Sequence, residues 1–303
     1  MDKNEILSLI KLIDDPDDEI YAIVKNKILE QPEVFKDYLE DYLIFSQDEN
    51  AKHRAKTLLE KITYNDAINQ LRYYLNTPNH TLIEGVLLLE PFFNKSVDTN
   101  KIRLEFENLM KKLWLKAKNK SPLDNLIVFC QTIFEEGYDV NAKTKDELDN
   151  NNDPSSLEYL FSTKKMEVNT SMLLLLLIAE RFKIPLATLF LNQYLPGFLA
   201  YYDDEKNIKY DSYDNINCLV FPNSKTKTLG LIPSQYHHIF DSIKKEKDKS
   251  VGIKSNDQFL LSYFRVRNLM SFSLEKRGKY LGINTDDLDK MEIIFERLLT
   301  NQL

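Results

Sequence analysis

Apolar residues recur at helical spacing through the first hundred residues of the chain. The run Asp15-Pro16-Asp17-Asp18-Glu19 offers an N-cap, a proline for the first turn and acidic side chains, and so predicts the start of a helix. The apolar positions that follow on one face of this helix are Ile20, Ile23, Val24 and Leu29. Further helices are predicted near residues 33–45, 51–62, 65–76 and 80–92.

These helices are too short to be stable alone, so they must bury their apolar faces against one another, as the helices of repeat proteins do. We find no clean repeat period. A longer helix is predicted at about 99–117. Another, at 122–136, begins at Ser121-Pro122 and ends at Gly137, where start and stop signals are expected. We divide the chain after residue 96, which makes 1–96 a helical region.

The pattern changes after residue 140. The polar segment 141–153 predicts a solvated loop, and helices are predicted at 156–163 and 171–183. Three short runs rich in aromatic and aliphatic residues then predict strands at 186–191, 198–202 and 217–221. A second polar connection, 244–256, precedes a closing helical pair at 257–303. The fold class is therefore α+β and predominantly α-helical, with a small antiparallel sheet in a core at 97–243.

Composition narrows the class of protein. Only 7 of the 303 residues are glycine, far below the usual ~7%. This argues against turn-rich sandwiches, propellers and glycine-rich phosphate loops. The net charge of −7 argues against a nucleic-acid or membrane-surface partner, because both attract clustered lysine and arginine. The most apolar run, Met172 to Ile178, is too short to cross a bilayer and predicts a buried core helix.

The cysteines and the first residues bear on location. Cys130 and Cys218 both lie in apolar runs, where a free cysteine behaves as a small hydrophobe, so we expect two buried, reduced thiols. The charged residues Met1 to Glu5 lead into an amphipathic stretch rather than an apolar signal segment. Together these features predict a cytoplasmic protein.

Several short motifs follow one another along the chain. In the central part they are Asp153-Pro154-Ser155-Ser156-Leu157, Lys164-Lys165, Asn169-Thr170-Ser171, Ala179-Glu180-Arg181-Phe182, Ile184-Pro185 and Leu195-Pro196-Gly197. Upstream are Leu82-Ile83-Glu84-Gly85, Trp114 and Phe134-Glu135-Glu136-Gly137-Tyr138, and downstream is Phe264-Arg265-Val266-Arg267-Asn268-Leu269. In order and spacing these motifs resemble those of the SirB family of bacterial transglutaminase-like proteins.

The resemblance implies a papain-like or transglutaminase-like core at 97–243 and tetratricopeptide-like helices in the closing pair. In such a core a nucleophilic Cys at the N-terminus of the central helix works with a His and an Asp on neighbouring strands. The helix N-terminus lowers the pKa of the thiol, and its backbone N–H groups can bind an oxyanion.

This sequence departs from that pattern at all three positions. No Cys lies near the start of the central helix, and of the Gly-Asn-Pro that many members carry there, only Asn169 is kept. The family's Pro-x-His-Phe motif is Pro196-Gly197-Phe198 here, and Phe221 falls where an Asp or Asn is usual. We therefore expect no catalytic triad, only a degenerate cleft. Its residues would be Asn169, Thr170, Ser171, Pro196, Phe198 and Phe221.

Two hydroxyls and two imidazoles are the remaining candidates for chemistry. Thr170 and Ser171 occupy the place of the nucleophile, but helix capping is the commoner role of such residues before an apolar run, and we expect it here. His237 and His238 are the only histidine pair. Adjacent residues on a helix point about 100° apart, so these two cannot chelate one metal, and we interpret them as structural.

Other polar and aromatic groups have simpler interpretations. We interpret His53 and His80 as surface or capping residues. The acidic residues Asp203, Asp204, Glu205, Asp211 and Asp214 lack the glycine that a cation loop usually needs, so we expect a solvated turn and no metal site. Candidates to line a peptide-binding groove are Tyr201, Tyr202, Tyr210 and Tyr213.

The loss of Cys, His and Asp within a persisting apolar framework predicts a catalytically degenerate protein that acts as a protein-interaction or scaffold module. We expect a protein or peptide partner and no cofactor, nucleic acid or membrane; the oligomeric state is left open. One alternative is a cryptic hydrolase or acyltransferase that uses Ser171 or Thr170 with His237 or His238. The other is a peptide-binding module without chemistry. A His nitrogen about 3 Å from the hydroxyl would favour the hydrolase.

Overall fold

The computed structural model describes residues 1–94, 96–117, 120–140, 155–190, 196–208, 215–233, 252–276 and 285–299. Within these residues the protein is mostly helical and carries a small antiparallel sheet, so the predicted α+β class is confirmed at that level. The chain forms two compact units, Met1–Tyr73 and Tyr74–Leu303. The limit between them precedes the sequence-based division after residue 96. None of the helices described combines the length and apolar character needed to cross a membrane.

The N-terminal unit is built from four helices. They are α1 (Lys3–Lys11), α2 (Asp18–Glu30), α3 (Pro32–Phe45) and α4 (Glu49–Asn76), and a 3-10 turn at Leu12–Asp14 follows α1. Asp17 caps α2 by accepting the Glu19 N–H at 2.8 Å, as the acidic run predicts. The apolar faces meet in a core whose fully buried members are Ile13, Ile28, Phe35, Leu39, Ala55 and Leu58.

Helix α4 is one helix where the sequence predicts two. The predicted segments 51–62 and 65–76 are joined because no glycine or proline lies between them to end the backbone hydrogen bonding. Thr63 fits inside the helix by donating its hydroxyl to the Leu59 carbonyl at 2.9 Å. Arg54 fixes α4 in the bundle, because its guanidinium donates to the carbonyl oxygen of Asp15 at 2.6 Å and packs over the Tyr21 ring.

The second unit contains seven further helices among the described residues. They are α5 (Leu82–Phe93), α6 (Thr99–Lys116), α7 (Pro122–Glu135), α8 (Leu157–Thr163), α9 (Val168–Phe182), α10 (Asn256–Lys276) and α11 (Thr285–Leu299). The predicted signals around α7 are confirmed, since Ser121 accepts the Asp124 N–H at 3.1 Å and Gly137 has a φ of 91° just beyond the helix.

The sheet follows α9 in the chain. A two-residue parallel pair, β1 (Asp139–Val140) and β2 (Lys165–Met166), precedes α9. The main sheet contains β3 (Leu186–Phe190), β4 (Pro196–Tyr201), β5 (Cys218–Asn223), β6 (Thr228–Pro233) and β7 (Gly252–Lys254), in the antiparallel order β6-β5-β4-β3-β7. The three predicted strands are confirmed, and β6 and β7 are two more that the sequence analysis missed.

Helix α9 is the centre of this unit. It packs against β3, β4 and β5, and every residue from Thr170 to Ala179 is buried, as the apolar run predicts. A core cluster of the sheet contains Ala187, Leu189, Ala200, Tyr202, Ile216 and Leu219. Helix α9 therefore lies between the sheet and α5, which also packs on it.

A buried ion pair ties α5 to α10. Nη1 of Arg267 lies 2.9 Å from Oε2 of Glu90, with both side chains 1% exposed. The other Glu90 oxygen accepts the Tyr263 hydroxyl at 2.9 Å and the Leu157 N–H at 3.2 Å. The Arg267 guanidinium also packs over the Phe93 ring. One carboxylate thus joins α5, α8 and α10.

Candidate functional site

The two candidate hydroxyls lie inside the central helix rather than before it. Helix α9 begins at Val168, and its N-cap residue is Glu167, which makes no side-chain capping bond. The backbone N–H of Ser171 donates to the Glu167 carbonyl oxygen at 2.8 Å, so Ser171 already belongs to the helical ladder. The prediction that Thr170 or Ser171 caps the helix is wrong, because the helix starts before its apolar run does.

The Ser171 hydroxyl is used within the helix. Its Oγ donates to the Val168 carbonyl oxygen at 2.6 Å, the back-bonding that serine makes inside helices. Ser171 is 1% exposed and Thr170 is 0% exposed. A nucleophilic hydroxyl must meet both a base and a substrate. In this position Ser171 meets a substrate only if the surrounding core opens.

Apolar side chains fill the space beside Ser171. A cavity of about 10 Å³ lies there, and its lining includes Ser171, Cys130, Leu175 and Pro222. That volume is at the lower limit of roughly 10–15 Å³ that one water molecule needs, so no substrate group fits. Burial raises the pKa of Cys130 to about 12, which keeps this thiol protonated at neutral pH. Cys130 therefore does not replace the missing nucleophile.

Two aromatic rings occupy the strand positions where the resemblance places the His and the Asp. Phe198 on β4 and Phe221 on β5 are both half-buried, and their ring centroids lie 6.4 Å apart at an interplanar angle of 74°. The Phe221 ring covers Gly230, its partner across the strands. Pro222 lines the small cavity beside Ser171, and adjacent residues of a strand point to opposite faces of the sheet, so the Phe221 ring lies on the face away from Ser171. Phe198 and Phe221 are hydrocarbon rings, which cannot transfer a proton.

The other predicted cleft residues are placed as follows. Asn169 is half-buried in the first turn of α9, and Pro196 begins β4 opposite Phe190. His237 and His238 lie outside the described residues, so the hydrolase alternative stays a hypothesis. No cluster of three or more His, Cys, Asp and Glu side chains that could hold a metal ion occurs within the described ranges.

The predicted tyrosine groove is wrong for the tyrosines that are described. Tyr201 is 5% exposed and Tyr202 is 0% exposed, because both side chains pack into the core of the sheet unit. Tyr210 and Tyr213 lie outside the described residues, as do Asp211 and Asp214. The turn at Asp203–Lys206 is exposed, as predicted, and the Asp204 carboxylate accepts the Lys206 N–H at 3.0 Å.

The sequence indicates a surface or capping residue at His80, and the structure shows a partly buried one that contacts both the neighbouring backbone and a distant segment. Its Nε2 lies 2.8 Å from Oδ1 of Asp257, and its Nδ1 lies 2.8 Å from the carbonyl oxygen of Thr77. Beside it, the Glu180 carboxylate accepts the Leu82 N–H at 2.9 Å, at the start of α5. Asp257 is 177 residues away in sequence. No spacing rule could have linked it to His80.

A groove lies in the N-terminal unit, and sequence reasoning missed it. This groove has a volume of about 450 Å³, within the ~300–1,000 Å³ of ligand sites. Its lining consists of Leu29, Glu30, Pro32, Ile62, Asn65, Ile68, Asn69 and Arg72. A signal was present in the sequence, because α4 alternates amide and aliphatic side chains on one face from residue 62 to residue 69.

Comparison with protein-family models, with curated proteins and with solved structures found no match to this chain.

Proposed function

We propose that this chain is a catalytically degenerate transglutaminase-like protein, similar to the SirB family, that acts as a protein-interaction module. Its core would be papain-like or transglutaminase-like. In support, α9 is a central helix followed by antiparallel strands β3, β4 and β5 that pack on it, which is the order that such a core requires. The family motifs quoted above fall at the start of α9 and at the start of β4.

The observation that carries the non-catalytic proposal is the state of Ser171. Its hydroxyl donates to the Val168 carbonyl, it is 1% exposed, and the void beside it is about 10 Å³. Phe198 and Phe221, at the strand positions where the resemblance places the His and the Asp, offer neither a base nor an anion. Among the described residues, the core around Ser171 is packed with apolar side chains and offers no acid-base group, which favours a binding function over a catalytic one. The two buried, unpaired thiols favour a reducing compartment, and we propose a cytoplasmic location.

The test is intact-mass spectrometry of the purified chain after treatment with a serine-reactive phosphonate. We expect no adduct on the wild type, on Ser171→Ala or on Thr170→Ala. A stoichiometric adduct that Ser171→Ala or Thr170→Ala abolishes would show an activated hydroxyl and would overturn the proposal. In parallel, titration of the chain into a cell extract should give a saturable partner; capture that never saturates would argue against an interaction module.

A further inference from the structure

The groove of the N-terminal unit has two asparagine side chains in register along one helix. Asn65 and Asn69 are exposed on α4 and both line the groove. Residues four apart lie on the same face, about 6 Å apart along the helix axis. Alternate residues of an extended peptide repeat every ~6.7 Å. Each carboxamide offers a donor and an acceptor, the same pair as a peptide group. In an extended peptide, two successive peptide groups on the same side are therefore spaced closely enough to the two carboxamides for each carboxamide to bind one of them.

The groove also has an apolar floor. Ile62 is 5% exposed and belongs to the core, and Ile68 on α4 is half-buried. Leu29 at the end of α2 completes the aliphatic contacts from the other wall. An aliphatic side chain placed here would gain burial without meeting an unpaired polar group. The floor therefore selects a residue such as leucine at one position of the peptide.

Charge indicates which peptide would bind. Residues 1–73 contain 16 acidic and 10 basic residues, a net charge of −6 within the −7 of the whole chain. Glu30 and Arg72 are the two charged residues of the lining, so the surplus of acidic residues in the surrounding unit sets the field at the groove. Such a field attracts cationic segments and repels anionic ones. Arg72 follows Asn69 by three residues on α4 and has five N–H donors, enough to bind a peptide carbonyl beside its other contacts.

We propose that this groove binds an extended peptide segment in which a basic residue precedes an aliphatic anchor. The carboxamides of Asn65 and Asn69 hold the peptide backbone, the aliphatic floor takes the anchor, and Glu30 pairs with the basic side chain. This inference rests on the proposed function only in taking the ligand to be a segment of another protein. The occupant is a peptide in extended form. A helical peptide would already use its backbone N–H and C=O groups in its own hydrogen bonds, so the carboxamides could not bind them.

The experiment measures fluorescence anisotropy of two labelled hexapeptide pools titrated with the whole chain. Both pools have leucine fixed at the third position; one has lysine and the other glutamate at the first. We expect saturable binding of the lysine pool and at least tenfold weaker binding of the glutamate pool. The Asn65→Ala/Asn69→Ala double variant should weaken binding of the lysine pool about tenfold or more. Glu30→Gln should reduce the preference between pools.

A matched control is Asn50→Ala, an exposed asparagine on the same helix outside the groove, which should bind like the wild type. Alanine raises helix propensity at all three positions, so weaker binding would not reflect an unfolded helix. Equal binding of the two pools, no saturable binding, or an unaffected double variant would overturn the inference. An adduct at Ser171 with intact lysine-pool binding would instead overturn the proposed function alone.

Discussion

Nε2 of His80 lies 2.8 Å from Oδ1 of Asp257, and the other ring nitrogen faces the Thr77 carbonyl oxygen at the same distance. Both partners are acceptors, so the ring satisfies both only with a proton on each nitrogen. Partial burial lowers the pKa of His80. The Thr77 hydrogen bond and the Asp257 and Glu180 carboxylates outweigh that effect and raise the pKa above 6.5. At a pH below this raised pKa, a protonated imidazole joins the connection before α5 to the first turn of α10.

Stability should therefore fall with alkaline pH. A group whose pKa is raised on folding stabilises the fold fully below its unfolded pKa, and loses this contribution as pH rises through the folded pKa. We expect the wild type to lose about 1 kcal/mol more than His80→Gln between pH 6 and pH 9. Urea unfolding at a series of pH values measures the difference.

The matched control is His53→Gln, a histidine exposed on α4. It should keep the wild-type pH dependence, while Asp257→Asn should reduce that dependence, because the Thr77 carbonyl and Glu180 still raise the pKa of His80. Identical pH profiles for the wild type and His80→Gln would show that His80 is not protonated in the fold.

The buried pair Arg267 and Glu90 predicts an asymmetric response to substitution. Removing one partner leaves a charge in the core, and we expect Arg267→Met or Glu90→Gln to cost about 3–5 kcal/mol in the free energy of unfolding. Removing both charges, as in Arg267→Met/Glu90→Gln, should cost much less than the sum of the two single variants, because no unpaired charge remains. Chemical denaturation of the three variants tests this.

The control for that cycle is the exposed pair of Arg103 and Glu84, whose side chains are 44% and 47% exposed. Arg103→Met should cost less than about 1 kcal/mol, since water screens such pairs. If Arg267→Met proves equally mild, the interior pair is not desolvated as the structure places it.

The helices and the middle of the sheet could be predicted because their signals are local. Ser121-Pro122 and Gly137 bracket α7, and the apolar run after Ser171 specifies a buried helix. The break predicted within α4 was wrong, since polar Thr63 interrupts the pattern without interrupting the hydrogen bonds. Strand β6 was missed because only Leu229 in it is buried. A single buried residue does not produce the sustained alternation of apolar and polar residues that predicts a strand.

The sites were harder to predict because they depend on distant residues. The pairing of His80 with Asp257 spans 177 residues, and the groove forms from three helices, of which only α4 carries a pattern that could have indicated it. The absence of acid-base groups at Phe198 and Phe221 could be read directly from the sequence. The burial of Ser171 could not be predicted from the sequence, because it depends on Cys130 and Pro222, which pack around it in the fold.

At Gly85 on α5, we expect substitution by alanine to destabilise the fold, the opposite of what helix propensity alone predicts. Alanine usually stabilises a helix over glycine by about 1 kcal/mol. Here an added Cβ would lie 2.5 Å from both the Leu260 Cδ2 and the Tyr74 hydroxyl oxygen. Tyr74 is held by its hydrogen bond to the Thr81 carbonyl at 3.1 Å and cannot move freely. We expect Gly85→Ala to destabilise by about 1–3 kcal/mol in urea unfolding.

The matched control for Gly85→Ala is Leu260→Ala, which removes one of the two opposing groups and leaves the Tyr74 hydroxyl in place. In the double variant the Gly85→Ala cost should shrink without disappearing, since only the contact with Leu260 is relieved. Additive costs would contradict the close approach.

The two thiols provide a direct measure of access to the sealed cleft. Burial raises the pKa of Cys130 to about 12, and burial, with the Asp203 charge, also raises that of Cys218. Cys130 is 1% exposed and Cys218 is 8% exposed. At pH 8 we expect slow labelling of the native chain by iodoacetamide, slower at Cys130, and rapid labelling of both in urea. Peptide mass spectrometry resolves the two sites. Rapid native labelling of Cys130 would mean that the space beside Ser171 opens, and chemistry there would again be possible.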